Sequence, residues 1–167
     1  MKTFQLFTKD ECKNILDDIL ANYDSHYVNR EFENDSSSYY KIEITKKTWY
    51  YNRLKKWFNE ELSINEVDGY LTLFFYKEGD RFPIHIDRIQ NTEFYYDAVY
   101  NVNVMLNEDY EGGEFVLNNI EYKQPAGLVY YYESTKPHGV KTVKSGLRYT
   151  LIYFVRERDF ERKKHIL

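Results

Sequence analysis

Two hydrophobic periods divide this chain. Over residues 8–23 apolar positions recur at helical spacing, with Cys12, Ile15, Leu16, Ile19 and Leu20 on one stripe. Thr8-Lys9-Asp10-Glu11 ahead of that stripe has the pattern of a capping box, with Thr8 as N-cap and Glu11 returning the bond. The pattern predicts an amphipathic helix of about four turns ending near Tyr23. Cys12 falls on its apolar side and reads as a small core residue rather than a reactive thiol. A second helix is predicted over residues 46–62, where Tyr50, Leu54, Trp57, Phe58 and Leu62 share a face and lysines and glutamates oppose them. Residues 31–38, between the two, are polar and serine-rich and read as a loop.

From Asp68 the period changes to two. Tyr70, Thr72, Phe74 and Tyr76 would share one face of a strand, and Leu71, Leu73 and Phe75 the other. Further strands are predicted at 98–106, 114–117, 127–132 and 148–155. Gly112-Gly113 and Pro125-Ala126-Gly127 punctuate them as turns. Short strands separated by turns, after two helices that would cover the outside of the sheet, predict a mainly β sandwich or barrel. No internal repeat, linker or domain boundary interrupts the pattern.

Composition sharpens this reading. Aromatic residues make up 19% of the chain, with 18 Tyr and 11 Phe. Tyrosine favours strands and can fill a core while its hydroxyl seeks a partner, so a β-rich fold with a polar cavity is expected. The formal net charge of -4 argues against a general nucleic-acid-binding surface. With Cys12 as the single cysteine, no internal disulfide can form. The start, Met1-Lys2-Thr3-Phe4-Gln5, lacks an apolar signal core, and no run approaches the roughly 20 apolar residues of a membrane span. A cytoplasmic location without membrane association is the expectation.

The candidate chemistry lies at His85-Ile86-Asp87. Residues two apart in an extended segment point the same way, so His85 and Asp87 can converge on one ion while Ile86 packs the other way. A local hydrogen-bonded pair is the simpler alternative for this short motif. The best source of a second imidazole is His138, because His26 and His165 lie in polar and basic surroundings outside the strand-rich region. Two imidazoles and one carboxylate suit a divalent iron with open positions. Arg148 sits inside an apolar strand, where an unpaired guanidinium is costly; it offers a planar fork for an acidic co-substrate, a surface cation being the alternative. Thr150 shares its face and can donate a hydrogen bond, while Ile152 and Phe154 continue that face as core. Asn101 and Asn103 share a face with Met105, lining a pocket or facing solvent.

These blocks resemble a known family. Phe74-Phe75-Tyr76, Gly79-Asp80, Phe82-Pro83-Ile84-His85-Ile86-Asp87, Met105-Leu106-Asn107-Glu108, Tyr110-Glu111-Gly112-Gly113-Glu114-Phe115, Pro137-His138-Gly139-Val140 and Arg148-Tyr149-Thr150-Leu151 are similar, in order and spacing, to the Fe(II)/2-oxoglutarate-dependent oxygenases of the prolyl-4-hydroxylase-like branch. The resemblance covers about residues 70 to 156. It implies a double-stranded β-helix, or jelly roll, with His85, Asp87 and His138 as iron ligands and catalytic centre. It implies Arg148 as the anchor of the distal carboxylate of 2-oxoglutarate; many prolyl hydroxylases carry lysine there. It also implies Tyr76 as a co-substrate contact, unless that ring is simply packed. Thr150 and Asn103 complete the expected co-substrate pocket.

One domain is expected over 1–167: a helical support region at 1–66, the jelly-roll core at 67–156 and a charged tail at 157–167. The implied cofactors are Fe(II), 2-oxoglutarate and O2, with ascorbate as a further one. The implied reaction is hydroxylation of an unactivated C–H, and Asp87 favours it over halogenation, for which related enzymes carry a small residue there. A prolyl or other peptide residue is the leading substrate, with a free amino acid or small metabolite next. A non-catalytic jelly-roll binding module is the rival of another class. Residues 88–96 would form a substrate lid or an ordinary loop. The oligomeric state is not encoded in these patterns.

Overall fold

A computed structural model describes residues 1–32, 35–63, 67–87 and 98–156. The chain runs β1 (Lys2–Gln5), α1 (Lys9–Asn22), β2 (His26–Phe32), β3 (Asp35–Ile44), α2 (Trp49–Glu61), β4 (Tyr70–Tyr76), β5 (Phe82–His85), β6 (Ala98–Met105), β7 (Tyr110–Gly112), β8 (Phe115–Leu117), β9 (Ile120–Tyr122), β10 (Leu128–Glu133), β11 (His138–Val140), β12 (Val143–Gly146) and β13 (Arg148–Arg156). Among the described residues the strands build a seven-stranded sheet in the order β1-β10-β6-β13-β4-β3-β2. Facing it are a four-stranded sheet, β5-β11-β8-β9, and the pair β12-β7. Neighbours in the large sheet run antiparallel, from β1–β10 to β2–β3.

The period-two pattern decides which side of the large sheet meets what. Leu71, Leu73 and Phe75 of β4, Val102 and Val104 of β6, and Leu151, Tyr153 and Val155 of β13 all point to one side. There they share a core with Ile15 and Ile19 of α1 and Tyr50, Leu54 and Phe58 of α2. Tyr76 and Tyr39 face the other way, into a smaller cluster with Val143, while Tyr130 and Tyr132 pack with Phe115 and Leu117 of the small sheet. The helices therefore cover the outside, and the inner face is left to aromatic and polar residues.

Both helices start as their sequences direct. Thr8 Oγ1 accepts from Glu11 N at 3.1 Å and Glu11 Oε1 accepts from Thr8 N at 3.1 Å, the reciprocal capping box. Glu11 also pairs with Arg53 of α2, which ties the two helices together. Thr48 caps α2, so that helix begins three residues later than the expected 46.

The loop expected at 31–38 is instead part of a hairpin. Arg30 pairs with Ser37 and Glu31 with Ser36, and β3 then joins β4 from Tyr40 to Ile44. Serines on both faces hide any alternation, and strand formation there is imposed by partners distant in sequence. The helical support region at 1–66 thus also supplies β1, β2 and β3. The proposed lid at 88–96 lies outside the described residues, as do His165 and the tail beyond Arg156. No helix among the described residues is long and apolar enough to cross a membrane.

Candidate metal centre

Strand register brings the two histidines together. β11 lies between β5 and β8, and His138 is the register partner of His85. Gly139 permits this approach: a Cβ there would stand 2.6 Å from the Phe82 carbonyl oxygen. The two imidazole centroids are 4.3 Å apart. Asp87 sits just past the end of β5, its backbone N–H donating to Ser134 O at 3.2 Å. Ile86 points away from the cluster, as expected, but is exposed rather than packed.

His85 Nε2 lies 2.9 Å from Asp87 Oδ1, and His138 Nε2 lies 3.2 Å from Asp87 Oδ2. One ligand atom from each of the three residues falls within 4.8 Å of the others. Metal–ligand bonds of about 2.1 Å place neighbouring octahedral donors about 3 Å apart, which the two histidine–carboxylate spacings match. Each ring is also held in one tautomer. His85 Nδ1 is 2.9 Å from Pro83 O, and His138 Nδ1 is 2.8 Å from Lys136 O. A carbonyl oxygen only accepts, so Nδ1 carries a proton, and Nε2 faces Asp87, where it can offer its lone pair to a metal or, when the ring is an imidazolium, donate to the carboxylate. Phe82 stacks on His85 at 4.2 Å and Tyr132 lies against His138 at 5.0 Å, fixing the ring planes.

The electrostatics follow from this packing. Burial alone would push the Asp87 carboxyl up. Hydrogen bonds and charge from His138 and His85 outweigh burial and hold it well below the usual carboxylate range. Burial works to lower the His138 pKa, but the Asp87 carboxylate wins and raises it. In the absence of metal, the carboxylate and imidazoles satisfy one another, which preserves the donor arrangement.

Arg148, the first residue of β13, pairs in register with Tyr76 and points to the inner face. It is 1% exposed, so the surface-cation alternative fails. Its Nε donates to Gly113 O at 2.8 Å, and its guanidinium lies 5.3 Å from the Tyr76 ring centre. Burial pulls its pKa down, and Tyr76 and Tyr110 partly offset that. Nη1 is buried and has no hydrogen-bond partner. Leaving a guanidinium donor unsatisfied in the interior costs free energy, and an acceptor reaching Nη1 would relieve that cost.

Thr150 is buried on the same face, its hydroxyl donating a long 3.4 Å bond to Val104 O. Asn103 is buried too; its Nδ2 donates to the Tyr132 hydroxyl at 3.1 Å, and its Oδ1 has no partner. Asn101 and Asn103 therefore line the interior, not an outer face. The contributions of Gly113, Tyr110 and Tyr132 were not visible beforehand. Inward parity of Tyr130 and Tyr132 on β10 was the available signal for one of them. Gly112-Gly113 is a turn, as expected, and Gly113 has a second duty. Its φ is +62°, and a Cβ there would stand 2.9 Å from Arg148 Cδ. Gly113→Ala is expected to lower stability by about 1–3 kcal/mol. Urea unfolding checks this, and an unchanged midpoint would show that the arginine cradle yields without strain.

Comparison with known proteins agrees with this geometry. Residues 71–156, just over half of the chain, match the family model of the 2OG-Fe(II) oxygenase superfamily, and the chain belongs to that superfamily. It is 32% identical over 104 residues to a PKHD-type hydroxylase of Acinetobacter baumannii, a match covering 55% of this chain and 45% of that protein. The chain thus spans about half the length of the curated relatives it matches. Its fold is similar to that of a Pseudomonas putida prolyl-4-hydroxylase, with a TM-score of 0.69 and 16% identity over 93% of this chain and 92% of the other. It is similar also to a Trichoplax adhaerens prolyl hydroxylase solved in complex with a hypoxia inducible factor oxygen degradation domain peptide fragment. There the TM-score is 0.64 and the identity 14%, over 96% of this chain and 86% of the other. The double-stranded β-helix expected from the sequence is the fold observed.

Proposed function

We propose that this chain is an Fe(II)- and 2-oxoglutarate-dependent dioxygenase that hydroxylates an unactivated C–H of a prolyl or similar residue in a peptide. The observation that carries this reading is a buried guanidinium with an unbonded nitrogen on the inner face of the same barrel that assembles the two-histidine, one-carboxylate cluster. His85, Asp87 and His138 would hold the iron, and Arg148 the distal carboxylate of 2-oxoglutarate. When bound, iron and co-substrate supply an oxidative decarboxylation that yields succinate and carbon dioxide and transfers one oxygen atom to the substrate carbon.

The chain's own residues supply placement. Pro83 O and Lys136 O keep both imidazoles presenting Nε2. Arg148 and Gly113 fix the depth at which a dicarboxylic acid stops, with Thr150 offering a hydroxyl two residues along and Tyr76 forming a wall beside the guanidinium. Asn103 faces the same interior with a free acceptor. Burial around this constellation excludes water, which strengthens each polar contact. None of these groups needs to act as a general acid or base.

Support for a peptide substrate comes from the fold relative seated on a peptide fragment. Ascorbate would serve as a reductant that keeps iron ferrous, and a reducing cytoplasm would suit both that ion and the buried thiol of Cys12. We further assign one domain to 1–167, with 67–156 as its catalytic core. Succinate release tests the reading. Purified protein with Fe(II), 2-oxoglutarate and ascorbate is expected to release succinate above the uncoupled background on proline-containing peptides from a mixed panel. Turnover confined to free amino acids would replace the peptide with a small metabolite, and no turnover on any member would favour a binding module.

A further inference from the structure

Each imidazole of the cluster has a fixed partner for its second nitrogen, but Asp87 lies beyond the last paired residue of β5 and lacks the support of a strand. Its carboxylate is instead held from across the barrel. Asn101 Nδ2 donates to Asp87 Oδ2 at 2.6 Å. Asn101 sits on β6 in the large sheet, paired on one side with Phe154 of β13 and on the other with Tyr132 of β10. It is 1% exposed. Its backbone position is therefore fixed from both sides. The amide orientation is fixed too, since a carboxylate only accepts and must meet Nδ2. Tyr132, whose hydroxyl accepts from Asn103 at 3.1 Å, packs on His138.

We propose that Asn101 is the positioning residue of the centre: by occupying Asp87 Oδ2 it keeps Asp87 a one-oxygen ligand and preserves the positions the keto acid needs. This rests on the dioxygenase reading above. Three protein donors leave three positions of an octahedral ion open, two for the keto-acid end of 2-oxoglutarate and one for oxygen. A carboxylate that swings to bind through both oxygens takes one of them. The strong hydrogen bond from a neutral donor opposes that swing without adding charge to the site.

The test uses Co(II) as the metal probe on the metal-free protein, read by visible absorption, followed by 2-oxoglutarate titration at saturating Co(II). Asn101→Leu removes the donor and keeps the branched shape, and Asn101→Ser, whose hydroxyl is too short to span the gap, covers the case where the bulkier leucine prevents folding. Circular dichroism and the melting temperature verify the fold. Either folded variant is expected to bind Co(II) about 10–100-fold more weakly, with 2-oxoglutarate affinity at saturating metal falling about tenfold or more. A lowered melting temperature with both affinities within about twofold of wild type would mark Asn101 as structural only and overturn the proposal. Failure of the wild-type protein to take up Co(II) at all would instead overturn the dioxygenase reading, and this proposal with it.

Discussion

Arg148→Met is expected to abolish 2-oxoglutarate binding while leaving metal uptake and the fold in place. The guanidinium is fully enclosed, bonded through Nε to Gly113 O, with Nη1 unsatisfied. Among the described residues no carboxylate pairs with it, so the substitution breaks no buried ion pair and escapes the roughly 3–5 kcal/mol that such a break costs. One hydrogen bond to a carbonyl is lost, worth about 1–3 kcal/mol, and an incompletely bonded buried cation disappears, which offsets part of that. Ligand-free stability should therefore change by less than about 2 kcal/mol. The ligand response should change far more. At 100 times its Kd, 2-oxoglutarate stabilises the wild-type protein by about 2.7 kcal/mol through mass action, and the variant should gain nothing. Arg148→Lys keeps the charge but loses the Nε bond and the two-pronged grip, so it should retain a weakened response. Thermal unfolding with and without 2-oxoglutarate measures all three proteins. An undiminished shift in Arg148→Met would place the co-substrate elsewhere.

Asp87→Ala produces the second large effect: metal affinity falls by more than about 100-fold, since loss of a mere outer partner of a ligand already costs 10–100-fold. Isothermal titration of metal-free protein reads it, and retained affinity would mean that the cluster is a hydrogen-bonded triad and nothing more. The same variant has a pH signature without metal. Asp87 has a depressed carboxyl, so its contribution is present above the unfolded value of about 3.9 and is lost as pH falls through the lower folded value. His138 is raised, so its contribution is present below about 6.5 and is lost as pH rises through the higher folded value. The stability deficit of metal-free Asp87→Ala should be greatest between about pH 4 and 6.5 and shrink on both sides.

The parts of this architecture with strong local periods were readable from the chain. The capping box at Thr8 and Glu11, the apolar stripe of α2, and the alternation of β4 and β13 each encode their partners' side as well as their own shape. Parity grouped Arg148 with Thr150 on one strand and Tyr76 with Phe74 on another; register then put Arg148 beside Tyr76 and His138 against His85. What escaped were elements whose shape comes from partners far away. β1 is an exposed edge strand with no apolar alternation, and the first half of β3 is the polar run Ser36-Ser37-Ser38. β7, β9 and β11 are three residues each, too short for any period to register. Asn101 was legible only as lining a pocket or facing solvent, and its bond to Asp87 joins separate parts of the fold and has no signature in spacing.

The central claim is that three side chains converge on one iron and that a dicarboxylic keto acid docks beside it. Anaerobic addition of Fe(II) and 2-oxoglutarate to the metal-free protein tests it in a single spectrum. A weak visible charge-transfer absorption should appear in the wild-type protein, and the same additions to His138→Ala should leave the spectrum flat. A wild-type spectrum indistinguishable from that of His138→Ala would contradict the account.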